Sequence, residues 1–487
     1  MPTPLRILFA ASEAAPFCKT GGLADVVGSL PKVLRQRGHD VRIMLPRYQD
    51  IDQSRYRMLP LLPEMKVSYG GEVLTGSVLR CSFPKTDMPV YFIDEPGLFG
   101  RKGLYGQGHS DFIDNDVRFA FFNMAILWTL KGLDWQPDII HLNDWQTGLV
   151  PALLKHHPEV SVDPFYAEMR TVFSIHNLAY QGNFDKFLVP SIGLPWESFT
   201  PDGMEFYGMA SFLKAGLAFS SKLVAVSPTY SREIQSEEHG AGMDGTLATR
   251  SADLHGILNG IDIEEWNPAA DAHIAASYSA PSGDGKAACK AALQKRLGLR
   301  PEPGMPLVVM ISRMISAKGF DLVKEALPEL LALDAQFFIL GSGDEEFETA
   351  IAEASAAHPG RFASMIGYDV PLSHQAVAGG DIFLMPSAFE PCGLTQMYSM
   401  RYGTVPVVRR TGGLSDSVSP LTGFLFEDYT PGAMVGALRE ALDAYAGGKL
   451  AWRKLMANGM EQDFSWDRSA AGYESLYREL SQSGNSL

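Results

Sequence analysis

The chain is predicted to fold as an α/β protein of two doubly wound domains, and three observations carry that reading. Apolar runs of strand length alternate with longer segments of helical period throughout its 487 residues. The runs form two series, divided by a stretch at 271–285 that is rich in Ala, Ser, Gly and Pro and reads as a surface loop. Most runs end in short loops that bring glycine, charge or an amide, and in open α/β sheets ligands bind outside the carboxyl ends of the strands. The length itself exceeds what one core serves, since a domain takes roughly 100 to 200 residues.

The first series comprises the runs 5–11, 138–142, 171–175 and 222–226. Run 5–11 leads to Lys19-Thr20-Gly21-Gly22, and residues 26–34 then show helical spacing. Glycines between a strand and a helix allow backbone N–H groups to approach an anion, and the helix N-terminus adds partial positive charge. The next three runs end at Asn143 and Asp144, at His176 and Asn177, and at Ser227 and Pro228. The second series reads 307–311, 337–340, 381–385 and 405–408. Its loops carry Arg313 and Lys318, then Gly341-Ser342-Gly343-Asp344, then Glu390, then Thr411-Gly412-Gly413. We therefore expect domains at 1–258 and 259–463, facing each other across a cleft, with a hinge at Asn259 and Gly260 and the aromatic tail 464–487 packing back on the first domain.

Composition bounds the function. With 46% hydrophobic, 10% aromatic and 20% charged residues the chain has material for sizeable cores. A net charge of -15 disfavours nucleic acid and anionic membranes as partners, so any phosphate site must be local. The apolar stretch 119–130 is too short to span a bilayer of about 30 Å as a helix, and the expected location is the cytoplasm. Cys18, Cys81, Cys289 and Cys392 show neither CxxC nor zinc-finger spacing, so they are read as reduced packing residues and no metal is expected.

Arg313 and Lys318 lie five apart in a strand-to-helix loop with Gly319. A guanidinium there can chelate a diphosphate and an ammonium can add a point charge. Glu390 precedes a helix start expected at Gly393, where amides can meet phosphate while the carboxylate takes sugar hydroxyls. The Lys19 loop is neither a Walker A loop nor a GxGxxG fingerprint, which argues against ATPase and NAD readings. Asp114-Asn115-Asp116 spells DxD, a string that binds metal and nucleotide in some enzymes, but it precedes a helical run and reads as acids in a first turn.

Taken together, KTGGLADV at 19–26, HLNDWQTG at 141–148, SIHNLAYQG at 174–182, NGID at 259–262, RMISAKG at 313–319, EPCGLTQ at 390–396 and RRTGGL at 409–414 resemble the bacterial glycogen synthase family, which includes plant starch synthases. The resemblance runs nearly end to end. It implies a GT-B fold and retaining transfer of glucose from ADP-glucose to an α-1,4-glucan such as glycogen, without a cofactor. It also implies acceptor binding mainly in the first domain and nucleotide binding mainly in the second. Under it, His176, Arg313, Lys318 and Glu390 are catalytic. Lys19, Gly22, Asp25, Asp144, Asn177, Asn259, Tyr368, Gly393, Leu394, Thr395, Gly412 and Gly413 bind substrate, with Tyr368 near the adenine. The second acid of the wider E-x7-E pattern is Tyr398 here, which puts ribose recognition by a carboxylate in doubt. Two alternatives stay open: another GT-B enzyme using UDP-glucose or a different acceptor, and a noncatalytic glucan-binding protein.

Overall fold

A computed structural model describes residues 3–108, 110–279 and 284–483. The chain divides into two units, 1–257 with 466–487, and 258–465. The expected boundaries at 258/259 and 463/464 thus lie within two residues of the observed ones.

The first unit is built on a nine-stranded sheet: β1 (Arg6–Ala10), β2 (Asp40–Pro46), β3 (Leu59–Tyr69), β4 (Glu72–Ser82), β5 (Pro89–Asp94), β6 (Ile139–Asn143), β7 (Arg170–Ile175), β8 (Lys222–Ala225) and β9 (Leu254–Gly256), in the order β9-β8-β7-β6-β1-β2-β5-β4-β3. The strands from β9 to β5 in that order pair parallel, and their Ile, Val, Leu and Phe runs are buried as strands covered on both faces must be. The edge is different. β3 and β4 form an antiparallel hairpin whose turn, Gly70-Gly71, has φ of 59° and 86°, a conformation glycine adopts without steric cost.

Helix α1 (Gly22–Gln36) follows the Lys19 loop, and α2 (Asn115–Gly132) buries Phe119, Phe121 and Phe122 in the core. The last helix of the chain (Trp466–Ser483) belongs to this first unit. Its Tyr477 hydroxyl meets His141 Nδ1 at 2.5 Å, and its Glu474 accepts from Arg37 Nε at 2.9 Å.

The second unit has six parallel strands: β10 (Leu307–Ile311), β11 (Gln336–Gly341), β12 (Phe362–Ile366), β13 (Ile382–Met385), β14 (Val405–Arg409) and β15 (Phe424–Phe426). Their order is β12-β11-β10-β13-β14-β15. Numbered from its first strand this is 3-2-1-4-5-6, the doubly wound order whose switch point lies between the first and fourth strands.

The stretch at 271–285 corrects one expectation. It does not lie wholly on the surface: Asp271 is buried, accepting from the Tyr402 hydroxyl at 2.6 Å and lying 2.8 Å from His374 Nδ1, and Tyr278 is buried too. Its small residues suggested a loop, but these aromatic and acidic side chains pin it to the second unit. Positions 280–283 of that stretch lie outside the described residues.

Candidate active site

Sequence candidates gather at the strand ends that flank each switch point. In the first unit β1 has β2 on one side and β6 on the other, so the loops after β1, β6 and β7 share one rim. Asp144 follows β6 and is held at φ 57°, a left-handed conformation unusual outside glycine. Its Oδ1 accepts from the backbone N–H of His176 at 2.7 Å, and the N–H of Asn177 also reaches its carboxylate. Burial pushes this carboxyl up to about 7, against the pull of those two amides.

His176 is pulled the other way, down to about 3, because desolvation disfavours the imidazolium. Its Nε2 lies 2.9 Å from Asn143 Oδ1, and the Asn143 amide is oriented by its own bond from Nδ2 to the Ala10 carbonyl at 3.0 Å. That arrangement puts the His176 proton on Nε2 and leaves Nδ1 as an acceptor.

The Lys19 loop corrects a second expectation. Its amides at Thr20 and Gly21 already hold an anion, the carboxylate of Glu13, which also accepts from the Thr20 hydroxyl at 2.6 Å and the Tyr105 hydroxyl at 2.5 Å. Glu13 is buried and was not among the sequence candidates. The available signal was its place two residues beyond the first strand run, where an acid among apolar residues needs donors. Lys19 Nζ meets Asp25 Oδ1 at 2.7 Å, with nearly half of the lysine side chain exposed. Gly22 opens α1 and is exposed.

In the second unit the loops after β10 and β13 flank the switch point. Lys318 Nζ from the first meets Glu390 Oε2 from the second at 2.5 Å, and the Ser387 hydroxyl reaches the same oxygen at 3.1 Å. Glycine is needed at two joints here. Gly319 has φ 80°, and a Cβ on it would lie 2.3 Å from the Pro386 carbonyl oxygen. Gly412 has φ 44°, and its Cβ would lie 1.9 Å from the Glu390 carbonyl oxygen, which accepts from the Gly413 N–H at 3.0 Å. The loops carrying Lys318, Glu390 and Gly412-Gly413 are thus joined backbone to backbone.

Arg313 is exposed on the first of these loops. Asn259 is buried, its backbone reaching the Cys392 thiol and its Oδ1 lacking a hydrogen-bond partner among the described residues. Gly393 is not the helix start that was expected. It stands at φ 68°, Leu394 caps, and the helix runs Thr395–Arg401, because a left-handed residue lies outside helical geometry. Tyr368 stands apart from this cluster, exposed in the loop after β12. Tyr398 lies face to face with Trp266 at 3.9 Å, and His374 covers the other face of that indole, so the second position of E-x7-E is occupied by a packing residue.

The DxD string has partners of its own. Asp114 is paired with Arg101, and Asn115 accepts from Arg118 and donates to the Tyr105 carbonyl. Among the described residues no group of three or more His, Cys, Asp or Glu side chains is placed to hold a metal ion. Burial pushes the Cys18 and Cys392 thiols up to about 12, which keeps them protonated and poorly nucleophilic.

The starch synthase catalytic domain family matches residues 6–249, and the glycosyl transferases group 1 family matches residues 295–452. A glycogen synthase of Anaeromyxobacter sp. (strain Fw109-5) is 53% identical over 483 residues, covering 98% of this chain and 99% of that one. The chain belongs to the glycogen synthase family of glycosyltransferases. A glycogen synthase of Syntrophotalea carbinolica is 46% identical over 482 residues, covering 98% of this chain and 99% of its own. Among solved structures, the catalytic domain of starch synthase IV from Arabidopsis thaliana, bound to ADP and acarbose, superposes with a TM-score of 0.90 at 35% identity, covering 99% of this chain and all of that one. A sucrose-phosphate synthase from Thermosynechococcus elongatus, at 16% identity and TM-score 0.62, shares the fold. The fold is GT-B, and the chain is a glycosyltransferase.

Proposed function

We propose that the protein transfers glucose from ADP-glucose to the non-reducing end of an α-1,4-glucan, elongating glycogen with retention of configuration. The observation that carries this reading is the Lys318–Glu390 pair at the switch point of the second unit, in a chain about half identical to glycogen synthases. Arg313 and Lys318 would oppose the negative charge that grows on the departing diphosphate, and Glu390 would accept hydroxyls of the donor glucose. Leu394, Thr395 and the glycines at 393, 412 and 413 would bring backbone close to the donor, with Asn259 beside them and Tyr368 toward the adenine. In the first unit Lys19, Gly22 and Asp25 would meet the donor, and Asp144, His176 and Asn177 its sugar. The neutral His176 imidazole offers Nδ1 to a hydroxyl.

The bond from the anomeric carbon to the phosphate oxygen breaks and a bond to the glucan 4-hydroxyl oxygen forms on the same face. The hydroxyl proton passes to the departing phosphate oxygen. Two side-chain cations at the diphosphate make a metal unnecessary, and no cofactor is proposed. The four cysteines are unpaired, which suits a reducing cytoplasm. No helix among the described residues is long and apolar enough to cross a membrane.

The test is release of ADP from ADP-glucose with a glucan acceptor, compared with UDP-glucose. A marked preference in kcat/KM for ADP-glucose is expected. Equal values would overturn the donor assignment, and no release with either donor would leave a noncatalytic glucan binder.

A further inference from the structure

In the first unit, away from the rim of Asp144 and His176, a cleft of about 760 Å³ opens between the loop before β3 and the turn joining β4 to β5. Its size is that of small-molecule sites. Its charge is unlike that of the chain around it. Arg55, Arg57, Arg80 and Lys85 line it, in a protein whose net charge is -15. The acid in the lining is Asp87, and both its oxygens are engaged by Arg35, at 2.9 and 2.8 Å. Arg57, Arg80 and Lys85 enter no ion pair among the described residues, and Arg55 lies over the ring of Tyr56 at 5.4 Å.

All four cations are exposed, and a concavity lined by one sign of charge concentrates anions. Guanidinium groups match phosphate oxygens two at a time, whereas a neutral glucan gains nothing from such a lining. The backbone adds an independent sign. Arg57 and Lys85 both hold left-handed φ angles, 51° and 62°, within hydrogen-bonded turns. Strain of this kind at residues without a glycine's freedom collects at ligand sites.

We propose that this cleft binds a small phosphate ester, smaller than a nucleotide sugar, and that its occupancy changes the affinity for the donor. The route is short. The Tyr56 hydroxyl on the cleft wall donates to the Pro16 carbonyl at 2.8 Å, and the Phe17 ring packs against Tyr56 at 4.6 Å and Phe83 at 5.6 Å. Two residues further on is Lys19. The effect on the donor rests on Lys19 being a donor contact, but binding to the cleft does not.

Calorimetric titration of glycerol 3-phosphate and of inorganic phosphate into the full chain, held in saturating ADP so that the donor phosphate site is filled, reads the cleft directly. One site per chain is expected, its affinity falling at least about tenfold in the double variant Arg57→Gly/Arg80→Ala and staying unchanged in Lys19→Ala. The tighter of the two probes tells whether the ester or free phosphate is the better ligand. No binding to the wild type, or equal binding to the double variant, overturns the site. In steady-state assays the tighter probe should shift the KM for ADP-glucose in the wild type and not in the double variant. Confirmed binding with an unmoved KM overturns the coupling and leaves the site.

Discussion

The rim after β1 and the rim after β10 each place a lysine against a carboxylate, yet they differ in what surrounds the pair. Lys19 and Asp25 meet at 2.7 Å with 48% and 25% of their side chains exposed, whereas Lys318 and Glu390 meet at 2.5 Å with 19% and 8% exposed. An exposed pair is screened and worth little, so Lys19 can leave Asp25 for a ligand at small cost. The Lys318–Glu390 pair, buried on its carboxylate side and half-buried on its lysine side, is held by three loops locked through glycines and cannot rearrange freely. Preorganised charge of that kind acts on a transition state without reorganising. The two rims thus differ in how firmly they hold their lysines: the second fixes Lys318 against a buried carboxylate, and the first leaves Lys19 exposed on the rim that carries Asp144 and the neutral His176.

The strongest way to break this comparison is Lys318→Ala. A loss in kcat on the order of 100-fold or more is expected, the scale of ~3 kcal/mol for one preorganised contact. Because the substitution strands the buried Glu390, part of any fall in melting temperature belongs to that unpaired charge. The double variant Lys318→Met/Glu390→Gln should recover the stability and not the activity. Unchanged kcat in Lys318→Ala would end the assignment, and recovered activity in the double variant would make the pair structural.

Glu13→Gln comes next. An amide keeps one acceptor and turns donors toward the amides of Thr20 and Gly21, which the carboxylate now gathers. The loop bearing Lys19 should loosen, raising the KM for ADP-glucose about tenfold, since misplacing a positioned group is costly. A drop in kcat with normal KM would instead place Glu13 in the chemistry. Lys19→Ala should raise donor KM and lower kcat together, by less than Lys318→Ala, as expected of an exposed lysine proposed to meet the donor in the ground state as well. Equal losses in the two lysine variants would erase the contrast between exposed and buried pairs.

The fold was legible because parallel strands covered by helices leave long apolar runs: the run 307–311 is β10 to the residue, and the other seven runs match strands within a residue or so at either end. The hairpin β3-β4 was harder, since its residues are partly exposed and irregular, with register shifts between Pro60 and Leu62 and between Leu62 and Met65. Gly70-Gly71 was the readable signal there. Among the candidate site residues, motif order pointed to Lys318 and Glu390, but nothing in spacing says that Glu13 will turn into the loop six residues ahead. A buried acid is recognised by its donors, and donors become visible only in three dimensions.

The smallest expected effect separates charge at the rim from charge beneath it. His141 lies within β6 and is fully buried, with Nδ1 against the Tyr477 hydroxyl at 2.5 Å and Nε2 against the Ser174 hydroxyl at 2.6 Å. Desolvation, aided by His176, pulls its pKa down to about 3, against 6.5 for a free imidazole. Above pH 6.5 both folded and unfolded chains hold it neutral, and its contribution is complete. As pH falls from 6.5 towards 3 the unfolded chain takes up a proton that the folded chain refuses, so stability drops by up to about 1.4 kcal/mol per pH unit from this group. His141→Gln removes that term. The variant should melt lower at pH 7, having lost the ring contacts to Phe9 and Tyr473, yet its melting temperature should fall less steeply than the wild type's between pH 6 and pH 4. Parallel curves would mean that His141 takes up its proton in the fold without penalty, and burial would then fail as the cause that keeps the neighbouring His176 neutral.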